Sequence, residues 1–280
     1  MQPADDCCFC DVSACPIVLE RPRYAVRQCP RCGVMWCDPP RFDDSFRPDD
    51  EQAYLEVETT IVAENRDRLE LLRQQAGPDT HPRLLEIGCM HGDFVAQAHD
   101  AGYDARGLDL SETAVAEAAV RRPGRVSLGT LDASVPDASV DIVAAFNVIE
   151  HMDAPHQFLD QVRRVLRPGG VLVLETPAQE SIYHHVMFAR GRLEPRRPQL
   201  EVGLHPGTHI FKFGRGPWRR ILRGRGFDVL RMRPKSTPLR ELLAKNTRAG
   251  IATRAGIVGF GLVARATGLG NRVQVMARCP

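Results

Sequence analysis

From residue 83 onward, short apolar segments alternate with amphipathic ones at a regular pace, and that alternation leaves few folds open. "RLLEIG", "YDARGLDL", "GRVSLGT", "SVDIVAAF" and "VLVLETP" read as strands, the third of them weakly. Between them "DFVAQAHDAG", "SETAVAEAAVRR" with a Ser111 cap, and "APHQFLDQVRRVLRPGG" read as helices. Strands that each feed a helix imply a parallel, doubly wound α/β sheet. "GFDVLRMR" and "NRVQVMAR" are expected to add an antiparallel hairpin at the sheet edge. Residues 53–77 have the periodicity of a leading helix, and 236–270 read as a glycine-broken helical insertion.

The front of the chain is different in kind. Seven of nine cysteines fall in the first 37 residues, as Cys7-x2-Cys10 and Cys29-x2-Cys32 separated by 18 residues. Two CxxC knuckles aim four thiolates at one tetrahedral ion, so this is the pattern of a zinc ribbon holding structural Zn2+. Cys8, Cys15 or Cys37 could replace one of the four. A disulfide cluster would need an oxidising compartment, and a redox CxxC would need a βαβ setting that this segment lacks. The expected division is a zinc-ribbon-like module at 1–42, a linker and leading helix at 43–82, and the α/β domain at 83–280. Insertions over the substrate side are expected at about 177–217 and 236–270.

Charge is unevenly spread. Residues 1–189 carry a balance of −14 and residues 190–280 one of +16, within a net charge of +2. A basic C-terminal third could attract an anionic partner such as RNA, or could pack against the acidic part or serve a homodimer contact. The N-terminus lacks the apolar core of a secretory signal, and no apolar stretch is long enough for a bilayer, so a cytoplasmic location is expected.

The turn after the first strand of the α/β domain decides the ligand. "LLEIGCMHGDF" lacks the G-x-G-x-x-G of a dinucleotide loop and the Gly-Lys-Ser/Thr of a phosphate loop. What stands there is Glu86-x-Gly88-x-x-x-Gly92, an acid that would repel a pyrophosphate but suits a ligand with a cationic end. On these residues the chain resembles the class I S-adenosylmethionine (SAM)-dependent methyltransferases, whose first motif is commonly (D/E)-x-G-x-G-x-G, with Met90 replacing the middle glycine. The resemblance extends over about residues 55–235, through "GLDLS", "TLDASVPDASVDIVAAF", "FNVIEHM" and "VLRPGGVLVLETP".

The resemblance implies a seven-stranded, mostly parallel Rossmann-like sheet and SAM as cofactor. It assigns Glu86, Gly88, Cys89, Met90, Gly92 and Phe94 to the cofactor turn. It places Asp109, 23 residues after Glu86, on the ribose hydroxyls, with Leu110 beside it. Asp132 and the Ala133 backbone would read the adenine, and Asn147 and Val148 would line the cofactor. Met90 costs little at negative φ and about 1–2 kcal/mol at positive φ.

An oxygen or carbon acceptor usually also needs a base. His209, in a position resembling a recurrent family H-x-x-x-F, is the first candidate, then His151 and His205; His184 and His185 are also in reach of the substrate side. Three functions stay open: methyl transfer to a small-molecule or sugar acceptor, methylation of rRNA or tRNA, and a non-catalytic docking protein on the same fold. Deoxysugar C-methyltransferases with zinc resemble the cysteine layout, as do certain rRNA guanine methyltransferases.

Overall fold

The computed structural model describes residues 5–40, 58–73, 81–121, 123–194, 204, 209–236 and 251–280. The α/β part is one seven-stranded sheet. Its strands are β4 (Arg83–Ile87), β5 (Asp104–Asp109), β6 (Val126–Leu128), β7 (Val140–Phe146), β8 (Leu166–Pro177), β10 (Asp228–Lys235) and β11 (Arg272–Arg278). Their order is β10-β11-β8-β7-β4-β5-β6, and β8 through β6 run parallel. β7 is buried along its whole length, as a central parallel strand covered on both faces must be.

β11 pairs antiparallel with β8 on one side and β10 on the other. β10 and β11 are thus the antiparallel hairpin expected at the sheet edge, with β10 outermost on that side and β6 outermost on the other. Residues from Leu166 onward already belong to β8, so the helix expected over 154–170 gives way to strand at the Arg-Pro. Proline has no amide proton to donate to a helix, and the residue before it is biased toward extended backbone.

The helices follow their apolar stripes. α2 (Asp93–Asp100) buries Phe94, Val95 and Ala98, and α4 (Pro155–Val165) buries Phe158, Leu159, Val162 and Val165, both at i, i+3/i+4 spacing. α3 (Glu112–Arg121) is opened by Ser111, whose hydroxyl accepts from Ala114 N at 3.1 Å. α1 (Glu58–Arg73), α5 (Ile182–Leu193), α6 (Arg215–Gly224) and α7 (Ile251–Thr267) complete the described helices. Among the described residues no helix is long and apolar enough to cross a membrane.

The cysteine segment forms β1 (Ile17–Glu20), β2 (Ala25–Gln28) and β3 (Met35–Asp38), an antiparallel sheet. A fourth strand comes from far away. β9 (Phe211–Lys212) pairs with β3, Met35 opposite Lys212 and Trp36 opposite Phe211, and Cys37 N donates to Ile210 O at 3.0 Å. Phe9 meets Phe211 and Phe213 edge-on, and Phe213 stacks on Trp218 of α6 at 4.2 Å. The buried side chains of the cysteine segment and of the α/β part thus form one cluster.

The uneven charge finds its partners inside the molecule. Glu175, fully buried on β8, accepts from Arg272 Nη1 at 2.8 Å, Lys235 Nζ at 3.0 Å and Arg68 Nη2 at 3.2 Å. Arg272 also reaches Glu64 of α1 at 2.8 Å, and Arg233 reaches Asp67 at 2.8 Å. The C-terminal arginines and lysine at these positions hold the sheet edge to the acidic leading helix.

Candidate active site

The chain runs β4, β5, β6 in one direction and then returns to place β7 on the other side of β4. Where the strand order reverses, the loops after β4 and β7 both stand at the carboxyl ends of their strands, the place where sheets of this kind bind ligands. The turn 88–92 leaves β4 there. Gly88 has φ +70°, and a Cβ on it would lie 2.4 Å from Val148 Cγ2, so only glycine lets the two loops meet. Gly92, at φ +73°, caps α2. Gly88 N donates to Leu108 O at 2.8 Å, tying the turn to β5.

Met90 sits at φ +47°. This is the costly alternative of the two open from the sequence, since a side chain in the left-handed region crowds the backbone. Its amide offsets part of that by donating to Asp109 Oδ2 at 2.7 Å. Met90→Gly is expected to stabilise the turn by up to about 1 kcal/mol and to tighten S-adenosylhomocysteine binding by up to about fivefold. Calorimetric titration of the variant reads this directly, and a weaker affinity would mean the methionine side chain contributes a ligand contact.

The acids gather around this turn. Glu86 is 5% exposed, its Oε2 has no hydrogen-bond partner, and burial pushes its carboxyl up to about 8 against the pull of Arg68. Asp109 is buried and orders the next loop by accepting from Ser111 N at 2.9 Å as well as from Met90 N. Leu110 beside it is 72% exposed, an apolar face held at the crevice. Asp132 and Ala133 are exposed, and Asp132 accepts from Ser134 N at 2.8 Å, which holds its carboxyl below the usual range.

Other residues of the expected cofactor set use their side chains for packing. Phe94 packs on Phe146 with ring centroids 4.9 Å apart, and the buried Cys89 fills the space that a side chain on Gly107 would need. Asn147 has φ +56°, its N donates to Glu175 O at 2.7 Å, and Val148 closes on Gly88. The donor set of Glu86, Asp109 and Leu110 suits a ligand with an ammonium, a diol and an aromatic base.

Beyond Val148 a short 3-10 turn, Ile149–His151, carries Glu150 and His151 against β9. His209, just before β9, brings its ring to 4.9 Å from that of His151. Burial, with His151 and Lys212 nearby, pushes His209 down to about 3, so it is neutral at pH 7. Burial likewise pushes Glu150 up to about 8 and Lys212 down to about 8. His184 is buried in α5, its neighbour His185 points Nδ1 at Ser181 O 2.8 Å away, and His205 lies outside the described residues.

Sequence reasoning singled out His151 and His209 but missed Glu150, Lys212, Arg68 and Glu175. The signal for two of them was present as an acid inside an apolar run, "NVIEHM" and "VLVLETP". A buried charge in such a run needs a partner from elsewhere.

The cysteine cluster is compact. Sγ atoms of Cys7 and Cys32 are 3.6 Å apart, Cys7 and Cys10 3.5 Å, and Cys10 and Cys29 3.3 Å. All four atoms lie within 4.8 Å of one another, and no cysteine is in a disulfide. Thiolates bound at about 2.3 Å around one tetrahedral ion stand about 3.75 Å apart, close to what is seen. Cys8, Cys15 and Cys37 are not in the set of four.

A family profile for the methyltransferase domain matches residues 59–232. The chain belongs to the methyltransferase-domain family. Among relatives of this family, a protein named as a probable S-adenosylmethionine-dependent methyltransferase from Mycolicibacterium smegmatis is 40% identical over 118 residues, 41% of this chain and 43% of that one. The 27-O-demethylrifamycin SV methyltransferase of Amycolatopsis mediterranei is 38% identical over 138 residues, 45% of this chain and 47% of that one. The methyltransferase-family chain therefore spans less than half the length of these curated relatives.

In fold it is similar to the geranyl diphosphate C-methyltransferase of Streptomyces coelicolor, with a TM-score of 0.53 at 18% identity, covering 85% of this chain and 86% of that one. The seven-stranded sheet with one antiparallel strand is the Rossmann-like methyltransferase sheet.

Proposed function

We propose that this chain is a SAM-dependent methyltransferase acting on a small natural-product acceptor, and that Cys7, Cys10, Cys29 and Cys32 hold a structural zinc ion. The observation that carries the reading is the buried, unmatched Glu86 carboxylate under the Gly88–Gly92 turn, with Asp109 and the exposed Leu110 beside it. That arrangement offers a carboxyl that an incoming amino-acid ammonium would ionise and pair with, acceptors for a ribose diol and a face for an adenine. Relatives that methylate a rifamycin precursor and ubiquinone precursors favour a small acceptor over a polymer.

When bound, SAM supplies an electrophilic methyl on a sulfonium. The protein's share is then orientation and proton handling. The Gly88–Gly92 turn would hold the donor beside the β7 loop, and the corner where His209 meets Glu150 and His151 would be the place for an acceptor proton to leave. His205, outside the described residues, remains a candidate from its sequence position alone. Holding the acceptor oxygen near attack geometry supplies much of the rate.

Calorimetric titration of the zinc-replete protein with S-adenosylhomocysteine is the test. A saturable, micromolar-range complex lost in Glu86→Ala is the expected result; a folded protein that takes up none would end the reading.

A further inference from the structure

Glu150, His151 and His209 each offer one ligating atom, and the three atoms lie within 4.8 Å of one another. Glu150 is 0% exposed, and neither of its carboxylate oxygens has a hydrogen-bond partner. A buried carboxyl left so is costly, and an ion or a charged neighbour that completes it recovers that cost. His151 Nε2 stands 3.9 Å from Glu150 Oε1, too far for a hydrogen bond. The two imidazoles are tilted by 37°, not stacked as an apolar pair would be.

These separations fit a shared ion. Donors bound at about 2.0–2.1 Å stand about 3.0–3.4 Å apart when adjacent and about 4.2 Å when opposite, so closing around a cation needs shifts of roughly 1 Å. His151 is 44% exposed at its side chain and can move that far.

We infer that Glu150, His151 and His209 form a second metal site, distinct from the cysteine cluster, that takes a divalent first-row transition ion with positions open toward the acceptor. Two imidazoles and one carboxylate are a borderline donor set that suits Mn2+, Fe2+, Co2+ or Zn2+ rather than Ca2+. Among the described residues three protein ligands converge there, which would leave the ion's remaining positions to water or the acceptor. The site lies on the loop that continues from Val148, which itself touches the cofactor turn at Gly88.

This deepens the proposed methyl transfer and rests on it for its chemical role. The ion would make an acceptor hydroxyl more acidic and fix its direction. The hydroxyl proton is lost to solvent, an oxygen lone pair forms the new C–O bond, and the methyl–sulfur bond breaks with its electrons staying on sulfur. The acceptor class is thus an oxygen nucleophile able to reach a cation. The rival use of Glu150 is as counter-charge to the buried Lys212, 5% exposed, across the same corner.

The test uses the full chain with its cysteine site zinc-loaded, titrated with Mn2+ while electron paramagnetic resonance follows the free ion. Mn2+ is a hard ion that leaves a zinc-filled thiolate site alone. About one equivalent is expected to bind saturably, and His151→Ala and His209→Ala are each expected to weaken binding tenfold or more. His151 is the safer variant, being half-exposed, and S-adenosylhomocysteine titration of both variants confirms a folded crevice. No saturable uptake of Mn2+, or of Co2+ in its place, would overturn the site in favour of the Lys212 pairing, as would variants that bind like the parent. Mn2+ uptake without S-adenosylhomocysteine binding would instead sink methyl transfer and leave the metal site standing.

Discussion

Replacing Cys29 with serine is expected to prevent zinc binding at the proposed four-thiolate site, unfold the cysteine module and abolish methyl transfer, while S-adenosylhomocysteine still binds within a few-fold of the parent affinity. The module's three strands are four residues each, too short to hold a fold by themselves. A structural zinc typically contributes about 10–16 kcal/mol to a folded state that lacks a core of its own. The consequence reaches the acceptor side through β9. Trp36 faces Phe211, and Cys37 N holds Ile210 O, so loss of β3 frees the segment that presents His209. Glu86, Gly88 and Asp109 lie on β4, its turn and β5, and none depends on β3. Zinc content, limited proteolysis of the first 40 residues and the two activities separate these outcomes. An intact module and full turnover without zinc would show that the four thiols have no structural ion.

Glu175→Gln is expected to lower stability by about 3–5 kcal/mol, because it leaves three cations facing one another without their shared acid. Arg68, Arg272 and Lys235 all end on its two oxygens, and its exposure is 0%. Removing one member of a buried ionic group costs far more than a surface pair, since the partners cannot recover water. The thermal midpoint should fall by roughly 10 °C.

The parent protein has a matching pH signature. Burial by itself would raise the Glu175 carboxyl, but Arg68, Arg272 and Lys235 outweigh it and hold the group well below its ordinary value. A depressed carboxyl contributes stability above its unfolded pKa of about 4.3 and loses it as pH falls toward the folded value. Denaturant unfolding between pH 7 and pH 3 should show a steep loss below about pH 4 that is shallower in Glu175→Gln. Equal slopes would mean that other carboxylates carry the acid sensitivity.

The features readable from the sequence are the local ones. Strands and helices of the α/β part follow from periods of two and of 3.6 within a few residues, which is why β4, β5, β7, α2 and α3 stand where their patterns put them. The Glu86–Gly92 turn is likewise local, for a tight turn needs its glycines at fixed spacing. The paired CxxC knuckles needed only a count of residues between thiols. The boundary at Leu166 was less clear, because the apolar end of a helix and the start of a buried strand look alike until the proline is weighed.

Chain folding decided what no period encodes. Two residues of β9 complete a sheet whose third strand ended some 170 residues earlier, a pairing too short to leave a pattern. β11 slips between β8 and β10 because an inner place buries it on both faces, whereas the sequence marks only a strand. The sign of φ at Met90, the three partners of Glu175 and the meeting of His151 with His209 all depend on surfaces brought together from distant parts of the chain. The elements, the Glu86–Gly92 turn and the paired CxxC knuckles are legible along the chain, since each is a matter of spacing along the backbone. Only the tertiary structure decided which charges meet and which donors share a corner, since those are distances through space.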